Sequence, residues 1–184
     1  MIRLDAATVA LQWAVGGMAF CWFTTRRQEV GLGYGWLLRG IYLLLAAGGF
    51  AAGVAGGVVP VREAASLAVA LSCLLGLVVS IGRRRSGVTG FPPALDLVPV
   101  ALGSVGLVAA ALDAGGAPVV ALLRTFAGAA FLGAVSDAML LGHWYLVQPG
   151  LPRRLLHELV DAVGWVWPVE VVAMLLPIGM VSVW

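Results

Sequence analysis

Between Gly40 and Val59 the chain runs for twenty residues without one charged side chain. That length matches the roughly 20 residues a helix needs to cross the hydrocarbon core of a bilayer. A helix at the surface of a soluble domain would need a polar face, and this run has none. Comparable segments recur at about 6–23, 64–82, 95–112, 117–147 and 153–184. Backbone polar groups in hydrocarbon must bond within their own segment, which excludes open sheets. The pattern predicts an all-α fold, a polytopic transmembrane helical bundle. About six membrane-spanning helices with short loops form a single integral membrane domain over residues 1–184.

Composition agrees with lipid as the solvent. Charged residues make up 11% of the chain and hydrophobic ones 61%, with a mean hydropathy of +1.02, whereas soluble domains carry about 25% charged residues. A net charge of +2 gives no footprint for a nucleic-acid partner. Cys21 and Cys73 lie in separate apolar runs, form no metal pattern, and read as small packing residues. Arg3 followed by an apolar stretch resembles a signal peptide, but no small-residue cleavage site follows, so the first segment is expected to remain as a membrane helix.

All eleven basic residues are Arg, and Lys and Asn are absent, a bias expected of a GC-rich bacterial genome. The loops after segments one, three and five hold Arg26, Arg27, Arg83, Arg84, Arg85, Arg153 and Arg154, against Arg3 and Arg62 on the other side. By the positive-inside rule the Arg-rich loops face the cytoplasm of a bacterial inner membrane, and both termini face outward.

Gly49, Gly53 and Gly57 form two overlapping G-x-x-x-G spacings, with Gly48, Ala52 and Gly56 beside them. Small residues four apart let another backbone approach closely, so Gly49, Gly53 and Gly57 are expected to pack against a helix of this chain or of a partner. Arg39 and Arg124 lie near segment ends and are expected to snorkel to the headgroups. Asp96 and Asp113 are expected at the two interfaces.

The stretch from Ser136 to Tyr145 carries the densest polar chemistry. Trp144 and Tyr145 fall where the fifth helix leaves the core, as in an aromatic belt. With His143 they also suit a quinone or lipid headgroup, or a haem b. A bis-His haem would need His157 as its second ligand, although His157 also fits a solvated face. Arg153, Arg154, His157, Glu158 and Asp161 form a polar face, so the start of the sixth helix is expected at the membrane surface. The spanning part then holds Pro168, Glu170 and Pro177. Glu170 lies about 12 Å below Ala162, and Asp137 about 13 Å below Leu146, at 1.5 Å per residue. Similar depths suggest a proton or cation shared between Asp137 and Glu170.

No phosphate loop, metal-spaced His pair or nucleophile–base pair occurs. With no catalytic residues of its own, the chain is expected to be an anchoring or accessory subunit of a larger membrane complex, an electron-transfer or quinone-linked one. Membrane lipids and other membrane subunits are the expected partners. Two other expectations are a small proton- or ion-coupled transporter using Asp137 and Glu170, and a membrane-embedded enzyme acting on lipid or quinone.

Overall fold

The computed structural model describes residues 5–88 and 90–176. Six α-helices follow one another: α1 (Ala6–Thr25), α2 (Leu32–Gly56), α3 (Pro60–Arg85), α4 (Leu97–Asp113), α5 (Pro118–Val147) and α6 (Arg154–Leu175). A 3₁₀ turn at Pro93–Asp96 leads into α4. Short loops make sequential neighbours antiparallel. Arg26 and Arg27, Arg83 to Arg85 in the last turn of α3, and Arg153 and Arg154 therefore gather at one end of the bundle.

Five segments are long and apolar enough to cross a membrane: α1, α2, α3, the 3₁₀ turn with α4, and α5. α6 is not among them within the described residues. Any stretch of it long enough to span includes at least three of Arg154, Glu158, Asp161 and Glu170. The expected segment 153–184 is thus supported as a helix only through Leu175, and Pro177 with the rest of that segment lies outside the described residues. α6 continues through Pro168 without interruption.

The second helix begins at Leu32 rather than Gly40. Arg39 looked like a helix edge, but its charge is paired inside the fold, so the helix continues past it. Pro60 ends no helix; it occupies the first turn of α3, where its missing N–H costs nothing. Asp5 caps α1, its carboxylate accepting from the Thr8 N–H at 2.7 Å. Partial burial alone would raise the Asp5 carboxyl, but the Thr8 N–H and the Arg62 guanidinium outweigh it and hold the group below its ordinary value.

α1 is the central helix, packed against α2, α4 and α5. Its tightest contact is with α5, which runs parallel to it. A Cβ on Gly16 would lie 1.7 Å from the Ala129 carbonyl oxygen, and one on Gly133 would lie 2.2 Å from the Gly16 carbonyl carbon. The two backbones touch with no side chain between them. Gln12 Nε2 donates to the Thr125 carbonyl at 2.7 Å, and Trp13 Nε1 donates to Ser136 Oγ at 2.6 Å.

The glycines of α2 divide in function. Gly49 packs on α1, where an added Cβ would be 3.1 Å from Ala10 Cβ. Gly53 makes room for a side chain, since its Cβ would overlap Glu63 Oε1 at 1.9 Å. Gly57 packs against nothing; it caps the end of α2 with φ at +155°. At this end Arg62 is 2% exposed and donates to Asp5, Thr8 Oγ1, the Gly57 carbonyl and Glu63. Glu63 in turn accepts from the Val59 N–H at 3.0 Å. Cys21 and Cys73 are buried free thiols.

A methyl group has nowhere to go between α1 and α5. Gly16→Ala is therefore expected to lower the unfolding free energy in detergent by about 1–3 kcal/mol, the usual cost of overpacking. Gly48→Ala, where an added Cβ meets nothing within 4 Å, should change it by less than about 0.5 kcal/mol. Equal effects of the two would refute the close α1–α5 contact.

Candidate functional site

Besides the Arg62 network, polar side chains inside this apolar scaffold collect in two further buried places and one groove. The first is at Asp137, which is 0% exposed near the middle of the bundle. Tyr42 of α2 donates its hydroxyl to Asp137 Oδ1 at 2.6 Å, and Tyr34 donates to the Asp137 backbone carbonyl at 3.3 Å. α1 lies between α2 and α5, so the Tyr42 ring must pass it. Gly17 opens that path: a Cβ there would sit 2.0 Å from the Tyr42 ring. Among the described residues Asp137 Oδ2 has no hydrogen-bond partner and the carboxyl has no ion pair.

The structure does not bring Asp137 and Glu170 together. Glu170 faces Gly128, where an added Cβ would be 3.6 Å from Glu170 Oε1. Gly128 and Asp137 are nine residues apart on α5, about 13 Å along its axis. The depth argument fails because the entry point of α6 sets the register, and the loop geometry draws Glu170 toward the opposite end. Glu170 instead lines a groove of about 230 Å³ with Gln12, Arg124, Phe131, Leu132 and Met174. Arg124 is thus a lining residue of that groove.

The second buried place lies under the Arg-rich loops. Arg39 is 2% exposed, and so is Asp96. Arg39 donates from Nε to Asp96 Oδ1 and from Nη2 to Asp96 Oδ2, each at 2.7 Å, and its guanidinium lies 3.9 Å from the centre of the Phe91 ring. Neither residue sits where it was expected. Arg39 points toward the loop end but finds a carboxylate before it reaches the surface, and Asp96 is interior. Asp113 alone of the two acids flanking α4 is exposed.

The residues singled out near the α5–α6 turn are mostly engaged with one another. Trp144 stacks at a tilt on Tyr34, 5.7 Å between centroids, and donates from Nε1 to Gln148 Oε1 at 3.3 Å. Tyr145 donates to the Pro152 carbonyl at 2.8 Å. His143 and His157 are both exposed. His143 Nδ1 lies 2.9 Å from the Met139 carbonyl, an oxygen that only accepts, so Nδ1 carries the proton. The neutral ring then presents Nε2 as a lone pair. In that form the nitrogen can ligate a metal or accept from a hydroxyl. No group of three or more His, Cys, Asp or Glu side chains suited to a metal ion occurs among the described residues.

The loops themselves are tied by charge. Glu158 of α6 accepts from Arg26 and Arg27 of the first loop, and Glu29 accepts from Arg154. The Gln148 side chain accepts from the Gly31 N–H and donates to the Glu29 carbonyl. The Arg27 guanidinium holds the Glu158 carboxyl below its ordinary value.

Sequence reasoning found Asp137 but missed Tyr34, Tyr42 and the Arg39–Asp96 pair. The available signal was one basic and one acidic residue, each expensive on its own in an apolar setting. Their separation of 57 positions hides the pairing.

Two measurements follow. Tyr42→Phe removes the donor to a buried carboxyl and should cost about 1–3 kcal/mol of stability. In an Asp137→Leu background the same change should cost almost nothing; additive losses would rule out the bond. For Glu158, a depressed carboxyl contributes stability that is fully present above its unfolded pKa and is lost as pH falls through its folded value. Protection of the amides in residues 26–31, corrected for intrinsic exchange, should therefore fall as the pH is lowered through the carboxylate range. Glu158→Gln should remove that acid-dependent step, and a step that persists would assign it elsewhere. Comparison of the chain with protein families, characterised proteins and solved structures finds no match.

Proposed function

We propose that this chain is a multi-pass protein of a bacterial inner membrane, with its Arg-rich loops cytoplasmic, that serves as a non-catalytic anchoring or accessory subunit of a larger membrane complex. Support for the membrane setting comes from the outer surface of the bundle. Leu44 is 72% exposed, Leu75 63%, Val119 77% and Trp165 81%. In water such positions would form large apolar patches of the kind that drive association; in acyl chains they are at home.

The observation that carries the subunit reading is the outward face of α2. Ala47, Ala51 and Ala55 are all exposed, at i, i+4 and i+8. Gly48 and Gly56 lie beside them, and an added Cβ at either would meet nothing within 4 Å. The inward glycines Gly49 and Gly53 are already occupied by α1 and Glu63. A second small-residue stripe thus faces out of the bundle, where it leaves backbone open to a transmembrane helix of another subunit. An electron-transfer or quinone-linked host suits the outward His143 ring, which offers Nε2 to a haem or a quinol hydroxyl. A transporter based on a shared Asp137–Glu170 site has lost its geometric support.

The test is gentle extraction from the native membrane. Wild-type chain should copurify with a second membrane protein in fixed ratio. Gly48→Leu and Ala51→Leu should release it while leaving the unfolding midpoint of the isolated chain unchanged. A wild-type chain that purifies alone and drives ion flux in proteoliposomes would replace this reading with transport.

A further inference from the structure

Arg39 has one nitrogen to spare. Its Nε and Nη2 are taken by Asp96, while Nη1 is buried and has no partner among the described residues. A buried donor left unsatisfied is costly, and this one lies beside a cavity that Arg39 helps to line. The cavity measures about 40 Å³ and is lined by Arg39 with Thr25, Gln28, Gly35, Gly90 and Phe91, among others. Gln28 holds a left-handed backbone, φ +56°, a strained conformation for a residue with a Cβ. Its side chain faces Gly90 across the cavity mouth, since a Cβ on Gly90 would be 3.1 Å from Gln28 Oε1.

Size and charge narrow the occupant. One water needs about 10–15 Å³ of such space, so the cavity admits a small oxygen-bearing group and excludes an aromatic ring. Eight arginines lie at this end of the bundle (Arg26, Arg27, Arg39, Arg83, Arg84, Arg85, Arg153 and Arg154) against Glu29, Asp96, Glu158 and Asp161. The local field favours an anion. A wider hollow of about 410 Å³, formed by Leu32, Arg84, Gly87 and Val88, shares Leu32 with the cavity and opens outward. A phosphate seated at the cavity could extend its substituent there, beside the Arg84 guanidinium.

We infer that the cavity beneath Phe91 binds a phosphate group, with Arg39 Nη1 donating to one phosphate oxygen. If the chain spans a membrane as proposed above, this end lies at headgroup level, and the phosphate is that of an anionic lipid. The inference differs from the subunit reading, because it concerns a different face and needs no protein partner.

Full-length chain in a nonionic detergent, titrated with phosphatidylglycerol in mixed micelles or with inorganic phosphate, tests it. Saturable binding, read by native mass spectrometry and a raised unfolding midpoint, is the expected result with the lipid. Gly35→Ala places a methyl group 2.7 Å from Nη1, against 3.4 Å from the Nη2 that bonds Asp96, so it crowds Nη1 first, and should weaken binding by about tenfold or more, the worth of one hydrogen bond to a charged group. Arg85→Gln, at an exposed position outside the cavity, should bind within about threefold of wild type, as expected for one screened surface charge. If Gly35→Ala does not fold, Arg39→Lys retains the charge beside Asp96 but has one donating nitrogen in place of three, and should weaken binding equally. Binding of inorganic phosphate with the same sensitivity to Gly35→Ala or Arg39→Lys would uphold the site and assign it to free phosphate. Absence of saturable binding by either probe, or binding that neither variant weakens, would overturn the inference. Failure of the membrane reading has its own signature, a chain that stays monodisperse in plain buffer without detergent.

Discussion

Backbone contact between α1 and α5 at Gly16, Ala129 and Gly133 sets the geometry of this bundle. In an apolar setting helices gain little from excluding water, so association rests on close packing and on hydrogen bonds between helices. Gly16 and Gly133 supply the first, and the Gln12–Thr125 and Trp13–Ser136 bonds on either side supply the second. The neighbouring Gly17 has the opposite task. It keeps α1 narrow enough for Tyr42 to reach past it, so three helices meet at Asp137.

Asp96 and Asp137 are accommodated by different chemistry. Asp96 has a guanidinium in bidentate contact and an aromatic ring stacked behind it. Asp137 has phenol hydroxyls from α2 and no ion pair among the described residues. Removing one member of a buried pair such as Arg39–Asp96 typically costs about 3–5 kcal/mol, because the other charge is stranded. Both arrangements join elements far apart in the chain, α2 to the 3₁₀ turn in one case and α2 to α5 in the other. α2 is therefore held on its inner face by two polar contacts as well as by Gly49, while its outer face carries exposed small residues. That asymmetry is the structural basis for assigning α2 a partner.

At the Arg-rich end, charge serves more than orientation. Arg26, Arg27 and Arg154 tie the first and last loops together through Glu158 and Glu29. Arg84 lies over Trp36, 5.1 Å from its centroid, and Arg83 donates to the Gly90 carbonyl. These contacts draw residues 28–31 and 90–91 around the cavity that Arg39 helps to line. The opposite end is closed by the Arg62 network, which uses Asp5 and Glu63 and leaves no comparable spare donor among the described residues.

Local pattern alone determined that the chain is helical, where most helices lie, and that the arginines of three loops share one end. Those features follow from runs of apolar residues and from loop charges, which are read within a window of about twenty residues. It also marked Asp137 as an acid inside an apolar helix. Tertiary structure decided what each polar group meets: Arg39 finds Asp96 instead of solvent, Asp137 finds Tyr42 instead of Glu170, and Gly57 ends a helix instead of packing one. The physical reason is that a helix specifies its own faces but not its neighbours. Rotation and register are set where backbones interlock, as at Gly16 and Gly133, and a shift of one turn, about 5.4 Å, would exchange every such partner.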